Sequence, residues 1–171
     1  QRIAPFHVME LLARAKALEA EGRDIIHMEV GEPDFPTPQP IVAAAQEHIA
    51  SGRVFYTPAL GLPELRSAIA DFYAARYGVS VPSSRVVVTS GASAALLLAL
   101  ACLVEPGSEW LVTDPCYPCN TNFIRCFDGV PAVIPVDATS NFQPTVADIE
   151  RYWTERTGGA LFASPANPTG T

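Results

Sequence analysis

The chain has 171 residues, of which 49% are hydrophobic and 17% charged, a balance typical of a folded domain with a core rather than of a disordered chain. Its formal net charge is −7 and it contains no run of lysine or arginine, so we expect neither nucleic acid nor an anionic membrane surface as a partner. Because it has no apolar stretch of about 18 residues and no signal-peptide pattern, a cytoplasmic location is the default expectation.

The first part of the sequence reads as helices joined by irregular segments. Apolar residues at helical spacing predict a helix over residues 8–18 that a glycine terminates, and residues 24–30 read as a short strand. The next ten residues, GEPDFPTPQP, contain four prolines and are therefore predicted to be irregular. Pro40 is a suitable first residue for a helix that ends near Gly52.

A third helix is predicted over residues 64–77. Its apolar spacing predicts a buried face that carries Leu65, Ile69 and Phe72. Gly78 is expected to end this helix, since glycine accepts the left-handed conformation that helix ends commonly adopt.

The rest of the chain alternates strands with helices. The predicted strands are 86–89, 110–113, 132–136 and 161–163. The predicted helices are 94–103, 120–127 and 145–156, the last with a capping pair at Thr145 and Asp148. This alternation predicts an α/β layer with a mainly parallel sheet. The opening hundred or so residues are more irregular, so residues 1–35 are expected to form an arm or part of a second domain.

Ligands bind open α/β sheets at the carboxyl ends of the strands, and four polar or glycine-rich loops fall at such ends. They are residues 89–93, 114–120, 137–142 and 164–170. The first, TSGAS, can converge backbone N–H groups at a helix N-terminus, which suits a phosphate, although an ordinary tight turn has the same composition. It matches neither the Walker nor the dinucleotide pattern.

The loop DPCYPC supports two hypotheses. Cys116 and Cys119 have the spacing of a redox pair between a strand and a helix. Alternatively, Tyr117 projects from a proline-stiffened turn and stacks on a flat heteroaromatic ligand. No second cysteine pair accompanies them and the histidines lie far upstream, so no metal site is expected.

Taken together and in order, five stretches resemble the N-terminal half of the class I/II aminotransferases, the pyridoxal-phosphate (PLP) enzymes with the aspartate-aminotransferase fold. They are GEPDFPTP (31–38), YTPALGLPELR (56–66), VTSGASAAL (88–96), DPCYP (114–118) and SPANPTG (164–170). The resemblance implies a three-layer α-β-α fold with a mainly parallel sheet, incomplete here. It also implies that residues 1–35 form an N-terminal helical arm and part of the small domain. Residues 36–171 would form the first part of the large PLP-binding domain.

The resemblance also implies roles for particular residues. Asn167 matches the asparagine that donates a hydrogen bond to the phenolic oxygen of the cofactor, and Tyr117 matches the aromatic residue that stacks on its pyridine ring. The phosphate-binding turn is matched by Gly91, Ala92 and Ser93.

Two further matches concern the substrate and a second subunit. Gly31 matches the loop position whose backbone faces the substrate carboxylate. Tyr56 matches the tyrosine that reaches the phosphate bound by the other subunit, which implies a homodimer with shared sites.

The resemblance leaves the catalytic group outside the chain. In the family, the lysine that forms the Schiff base follows S-P-x-N-P-x-G, so we expect no catalytic residue among these 171 residues. Lys16 is the only lysine and lies in no matching motif. The chain is therefore expected to be the front half of an enzyme and to be inactive alone.

The implied activity of the full-length protein is transfer of an amino group between an amino acid and a 2-oxo acid. A PLP-dependent lyase, an aminotransferase-like regulator of the same fold and a non-catalytic α/β module stay open as alternatives. The sequence does not separate these alternatives and does not identify the amino-acid donor.

Overall fold

The computed structural model describes residue 3 and residues 5–171. Within that part of the chain the helices are α1 (His7–Ala20), α2 (Gln39–Ala50), α3 (Pro63–Tyr77), α4 (Ala92–Leu103), α5 (Pro118–Cys126) and α6 (Val146–Tyr152). The strands are β1 (Glu109–Asp114), β2 (Val130–Pro135) and β3 (Thr157–Ala160). Residues 1, 2 and 4 of the predicted arm lie outside the described residues.

The three strands form one parallel sheet in the order β2-β1-β3. The chain passes from β1 through α5 to β2, and then through α6 back across β1 to β3. Crossovers between parallel strands are right-handed, so this reversal of direction places α5 and α6 on opposite faces of the sheet. The predicted layered α/β fold is confirmed.

The core lies around β1, the central strand. Val112 packs with Leu100 of α4 and Ile124 of α5 in one buried cluster. Leu111, whose side chain points to the opposite face, is also fully buried. Both faces of β1 are therefore covered, as is usual for a central strand of a parallel sheet.

Two predicted helix ends are confirmed. At the start of α6, the Thr145 hydroxyl accepts from the Asp148 N–H at 3.2 Å, and the Asp148 carboxylate accepts from the Thr145 N–H at 2.9 Å. This reciprocal pair is the capping box that the sequence indicates. At the end of α3, Gly78 adopts a left-handed conformation with φ 66°. Helix α6 itself stops at Tyr152, before the predicted end at residue 156.

Three strand predictions are wrong or displaced. Residues 24–30 and 86–89 are not strands, because neither segment pairs with a strand in the described part of the chain. The predicted strand at 161–163 lies earlier, at Thr157–Ala160, although the Leu161 N–H still donates to the Leu111 carbonyl at 2.8 Å. An apolar run indicates a capacity for burial, whereas a strand also needs a neighbour with which to pair.

The predicted buried face of α3 is largely open. Leu65 is 44% exposed and Phe72 is 54% exposed, while Ile69 is half-buried. Phe72 instead makes edge-on ring contacts with Tyr73 and Tyr77 of the same helix. Across the described residues, no helix combines the length and the apolar character needed to cross a bilayer. The division into an arm, a small domain and a large domain stays a prediction.

Candidate active site

The loop after β1 and the start of α4 meet at Tyr117. Its hydroxyl interacts with the side chains of Cys119 and Ser93, and its ring is half-buried. The pKa of Tyr117 is raised, first by the hydrogen bond to Cys119 and then by burial, while the Ser93 hydroxyl acts in the opposite direction. Two residues that the sequence assigns to one site, Tyr117 and Ser93, are therefore neighbours.

The start of α4 has the donor set that an anion needs. Gly91 precedes the helix with φ 85° and ψ 172°, and no described side chain caps the first turn. The backbone N–H groups at the start of a helix have no partner within that helix, and the helix dipole favours negative charge there. A Cβ added at Gly91 would meet open space, so a ligand can approach this backbone closely.

The loop that contains Asn167 follows β3, directly beside β1. Because β1 and β3 are parallel neighbours, their carboxyl ends lie at the same edge of the sheet, as do the loops that follow them. Asn167 is exposed. The loop around it is closed by two backbone hydrogen bonds of 2.7 Å, from Ala166 to the Thr171 carbonyl and from Gly170 to the Ala166 carbonyl.

Gln143 supports this loop, and no sequence motif singles it out. Its side-chain amide donates to the carbonyl of Ala163 at 3.3 Å and to that of Thr171 at 3.0 Å, so it ties together both ends of the Asn167 loop. The sequence feature that could have indicated Gln143 is its position immediately after the polar loop 137–142.

Phe6 is a second residue that the sequence did not single out. Its ring contacts the ring of Tyr117 edge-on, with centroids 6.1 Å apart and an interplanar angle of 79°. No local pattern could have indicated this contact, because it joins the residue that precedes α1 to a loop in the second half of the chain.

Gly31 and Tyr56 stand apart from this cluster. Both are exposed, and Tyr56 is fully so. Among the described residues, no hydrogen bond or ring contact joins either of them to Tyr117, Ser93 or Asn167. Their predicted roles, toward the substrate and toward a second subunit, stay predictions.

The surroundings of Cys116 disfavour thiol chemistry at this residue. Burial raises the pKa of the half-buried Cys116 thiol, and the negative charge of Asp114 raises it further. A reactive cysteine needs the opposite shift, since the thiolate is the nucleophile. Within the described part of the chain, no group of three or more His, Cys, Asp or Glu side chains is placed to hold a metal ion.

Comparison with known proteins identifies the family. The model of the aminotransferase class I and II family matches residues 23–171. The chain belongs to this family.

Individual relatives agree with this assignment. The chain is 37% identical to the (5-formylfuran-3-yl)methyl phosphate transaminase of Methanocaldococcus jannaschii, over 96% of this chain and 42% of that protein. It is 43% identical to an aspartate aminotransferase of Streptomyces avermitilis, over 92% of this chain and 39% of that protein. The crystal structure of Thermus thermophilus aspartate aminotransferase with maleate superposes with a TM-score of 0.92 at 31% identity, covering 97% of this chain and 44% of that one. The chain thus spans less than half the length of these relatives.

Proposed function

We propose that the full-length protein is a PLP-dependent aminotransferase that moves an amino group between an amino acid and a 2-oxo acid. The observation that carries the proposal is the meeting of Tyr117 with Ser93 at the N-terminus of α4. An aromatic ring beside a set of anion-binding N–H groups suits a ligand that has both a flat heteroaromatic ring and a phosphate.

The residues present fit PLP. Gly91, Ala92 and Ser93 would hold the phosphate through uncapped backbone N–H groups and the Ser93 hydroxyl. Tyr117 would stack on the pyridine ring, and Asn167 would donate to the phenolic oxygen. When bound, the cofactor supplies an electron sink for the bond changes at the α-carbon of the substrate.

The contribution of this chain to the reaction is to bind and orient the cofactor and the substrate. The dipole of α4 would offset the charge of the phosphate. The Asn167 amide would donate to the phenolic oxygen of the cofactor, and this hydrogen bond would tune how strongly the neighbouring imine nitrogen retains its proton. The Gly31 backbone would receive the substrate carboxylate. A lysine elsewhere in the full-length protein would supply the amine nucleophile, since Lys16 lies on α1, outside the cluster.

The substrates are proposed by class only. The relatives named above act on different molecules, one of them a furan phosphate and another aspartate. We therefore assign an amino acid and a 2-oxo acid without naming the donor. We further propose a homodimer in which Tyr56 of one subunit reaches the phosphate held by the other.

The test is a titration of the full-length apo protein with PLP, followed by a transamination assay. We expect saturable binding with a visible absorbance band, and consumption of an amino acid only when a 2-oxo acid is present. A protein that binds PLP but releases ammonia or a thiol without a 2-oxo acid is a lyase. A protein that does not bind PLP contradicts the proposal and favours a non-catalytic module.

Borohydride reduction followed by peptide mass analysis locates the attachment of the cofactor. We expect the reduced adduct on a lysine other than Lys16, and we expect a Lys16→Arg variant to be labelled to the same extent as wild type. The same treatment of the 171-residue chain alone should give no stoichiometric adduct. A specific, stoichiometric adduct on Lys16 would contradict this placement of the site.

A further inference from the structure

We infer that Phe6 is a positioning residue for the cofactor, acting through Tyr117. The inference rests on the proposed function, in which the ring of Tyr117 stacks on the pyridine ring. Phe6 would hold the plane of the Tyr117 ring at the angle that stacking requires. The N-terminal arm would then be part of the working site rather than only an extension of the fold.

The first observation is the contact itself. The two ring centroids lie 6.1 Å apart and the rings are inclined at 79°. This is the edge-on arrangement that aromatic pairs prefer, because the positive edge of one ring meets the negative face of the other. The Phe6 ring is half-buried, so it packs against the protein rather than extending into solvent.

The second observation is that a tyrosine in this place needs such a contact. The side chains of Cys119 and Ser93 interact with the hydroxyl of Tyr117, which restricts the tip of the side chain. An anchored tip still leaves rotation of the ring about its long axis, and that torsion has broad minima. A second ring packed edge-on against Tyr117 restricts the rotation. Two anchors therefore define the ring plane, whereas one does not.

The third observation is that Phe6 is itself held in place. It immediately precedes α1, and its carbonyl accepts a hydrogen bond from the Met9 N–H at 3.1 Å. At the other end of α1, Glu19 accepts from His27 at 2.9 Å, and His27 also bonds Glu29 at 2.6 Å. Helix α1 has no buried residue, and its apolar positions such as Leu12 and Leu18 are half-buried, so contacts at its two ends add to that packing in holding the helix in place.

The experiment compares PLP dissociation constants of full-length apo proteins. Phe6→Leu keeps an apolar side chain but removes the ring, and we expect it to weaken PLP binding about two- to tenfold, the range that an aromatic pair contributes. Phe6→Tyr keeps the ring and should restore binding to within about twofold of wild type. The induced circular dichroism of the bound cofactor reports its orientation. It should change in Phe6→Leu and stay unchanged in Phe6→Tyr.

Phe72→Leu is the matched control. Phe72 makes edge-on contacts with Tyr73 at 6.1 Å and with Tyr77 at 5.9 Å, the same kind of pair on the surface of α3. This variant should bind PLP as wild type does. An equal loss of affinity in Phe72→Leu would mean that the effect is general destabilisation, and would overturn the inference.

A double-mutant cycle with Tyr117→Ala decides how Phe6 acts. If Phe6 acts through Tyr117, Phe6→Leu has no further effect on binding once the tyrosine is removed. An undiminished effect in the Tyr117→Ala background, or wild-type affinity in Phe6→Leu alone, overturns the inference. The wild-type titration tests the proposed function separately, and a wild-type protein that binds no PLP overturns both.

Discussion

At the scale of the residue, the loop after β1 offers both cysteine and tyrosine chemistry, and the surroundings of these side chains differ. The Cys116 thiol is half-buried beside the carboxylate of Asp114, and both conditions favour the neutral thiol over the thiolate. The ring of Tyr117, by contrast, lies beside Ser93 at the start of α4. These surroundings support the proposal that Tyr117 contacts the cofactor and that Cys116 is a structural part of the turn.

The first prediction separates these two roles. Replacing both Cys116 and Cys119 with serine should leave transamination by the full-length protein within a few-fold of wild type. Tyr117→Ala should weaken PLP binding about two- to tenfold, since stacking contributes about 0.5–1.5 kcal/mol beyond burial. Cofactor dissociation and turnover, measured under reducing conditions, check both variants. If the double-serine variant is inactive and Tyr117→Ala behaves as wild type, the cysteines rather than the tyrosine are the functional residues of this loop.

The second prediction concerns Asn167. Removing its amide in Asn167→Ala deletes one hydrogen bond to the cofactor, whose loss costs on the order of 1–3 kcal/mol. The apparent pKa of the bound cofactor should rise, because the phenolic oxygen then carries more negative charge to retain the neighbouring proton. A spectrophotometric pH titration measures the shift. Gln143→Ala, which frees both ends of the same loop, should reproduce part of this pKa shift. An unchanged titration curve in Asn167→Ala would contradict a role for Asn167 in the site.

At the scale of the element, the sequence predicted helices better than strands. A helix satisfies its own backbone, so spacing and caps are enough to predict α1, α3 and the capping box of α6. A strand needs a neighbour, and residues 86–89 have apolar strand character without one. The Val88 N–H bonds the Leu60 carbonyl at 3.0 Å instead, and the Val86 carbonyl accepts from Arg66 at 2.9 Å. Sequence periodicity does not contain this information.

The same reasoning applies to the site. Tyr117 and Ser93 belong to loops with recognisable composition, and both were predicted. Phe6 and Gln143 act through contacts between distant parts of the chain. Such contacts depend on how elements pack rather than on any local pattern, so only the three-dimensional arrangement reveals them.

The third prediction concerns the packing of β3 on β1. Gly159 lies opposite Trp110, and a Cβ at Gly159 would lie 2.7 Å from two atoms of the indole ring. Because the tryptophan is 6% exposed and has little room to shift, Gly159→Ala should destabilise the protein by about 1–3 kcal/mol. Gly158→Ala is the control, since its nearest contact is 3.3 Å and its loss should be smaller. Denaturant unfolding of both variants measures the difference in stability. Equal losses of stability would contradict a steric clash between a Cβ at position 159 and Trp110.

The fourth prediction concerns the attachment of α1 to the segment before Gly31. The hydrogen bonds of His27 to Glu29 and Glu19 raise its pKa above the ordinary value of 6.5. The stabilisation is therefore fully present below that value and is lost as the pH rises through the raised pKa. The attachment of α1 should therefore loosen as the pH rises above 6.5. The other charged groups that line the same cavity are Lys16 and Glu32.

Histidine NMR titration and hydrogen exchange of α1 test this prediction. Glu29→Gln should lower the pKa of His27, because it removes the carboxylate whose hydrogen bond contributes most to raising that pKa. Glu10→Gln is a matched control on α1, since Glu10 pairs with His7 at 2.9 Å and not with His27. Exchange of α1 that does not vary with pH in the wild type would contradict a role for His27 in holding the helix.

At the scale of the whole molecule, several large aromatic side chains are exposed in the described part of the chain. Phe35 is 72% exposed, Phe55 is 78% exposed and Tyr56 is fully exposed. Large apolar side chains grouped on a surface commonly mark an interface. The segment 54–56 is also the part of the chain proposed to reach a second subunit, so exposure and proposed role coincide there.

The fifth prediction uses subunit mixing to test the shared site. In a two-fold dimer, a Tyr56→Phe subunit damages the site of its partner, whereas an Asn167→Ala subunit damages its own. A hybrid of the two therefore has one site with both changes and one site with neither. Random mixing makes half of the dimers hybrid, so activity should recover to about a quarter of wild type. Each variant refolded with itself is the control and should stay at its own low activity. If Tyr56 serves the site of its own chain, the hybrid contains no intact site, and mixing should give no activity above the average of the two controls.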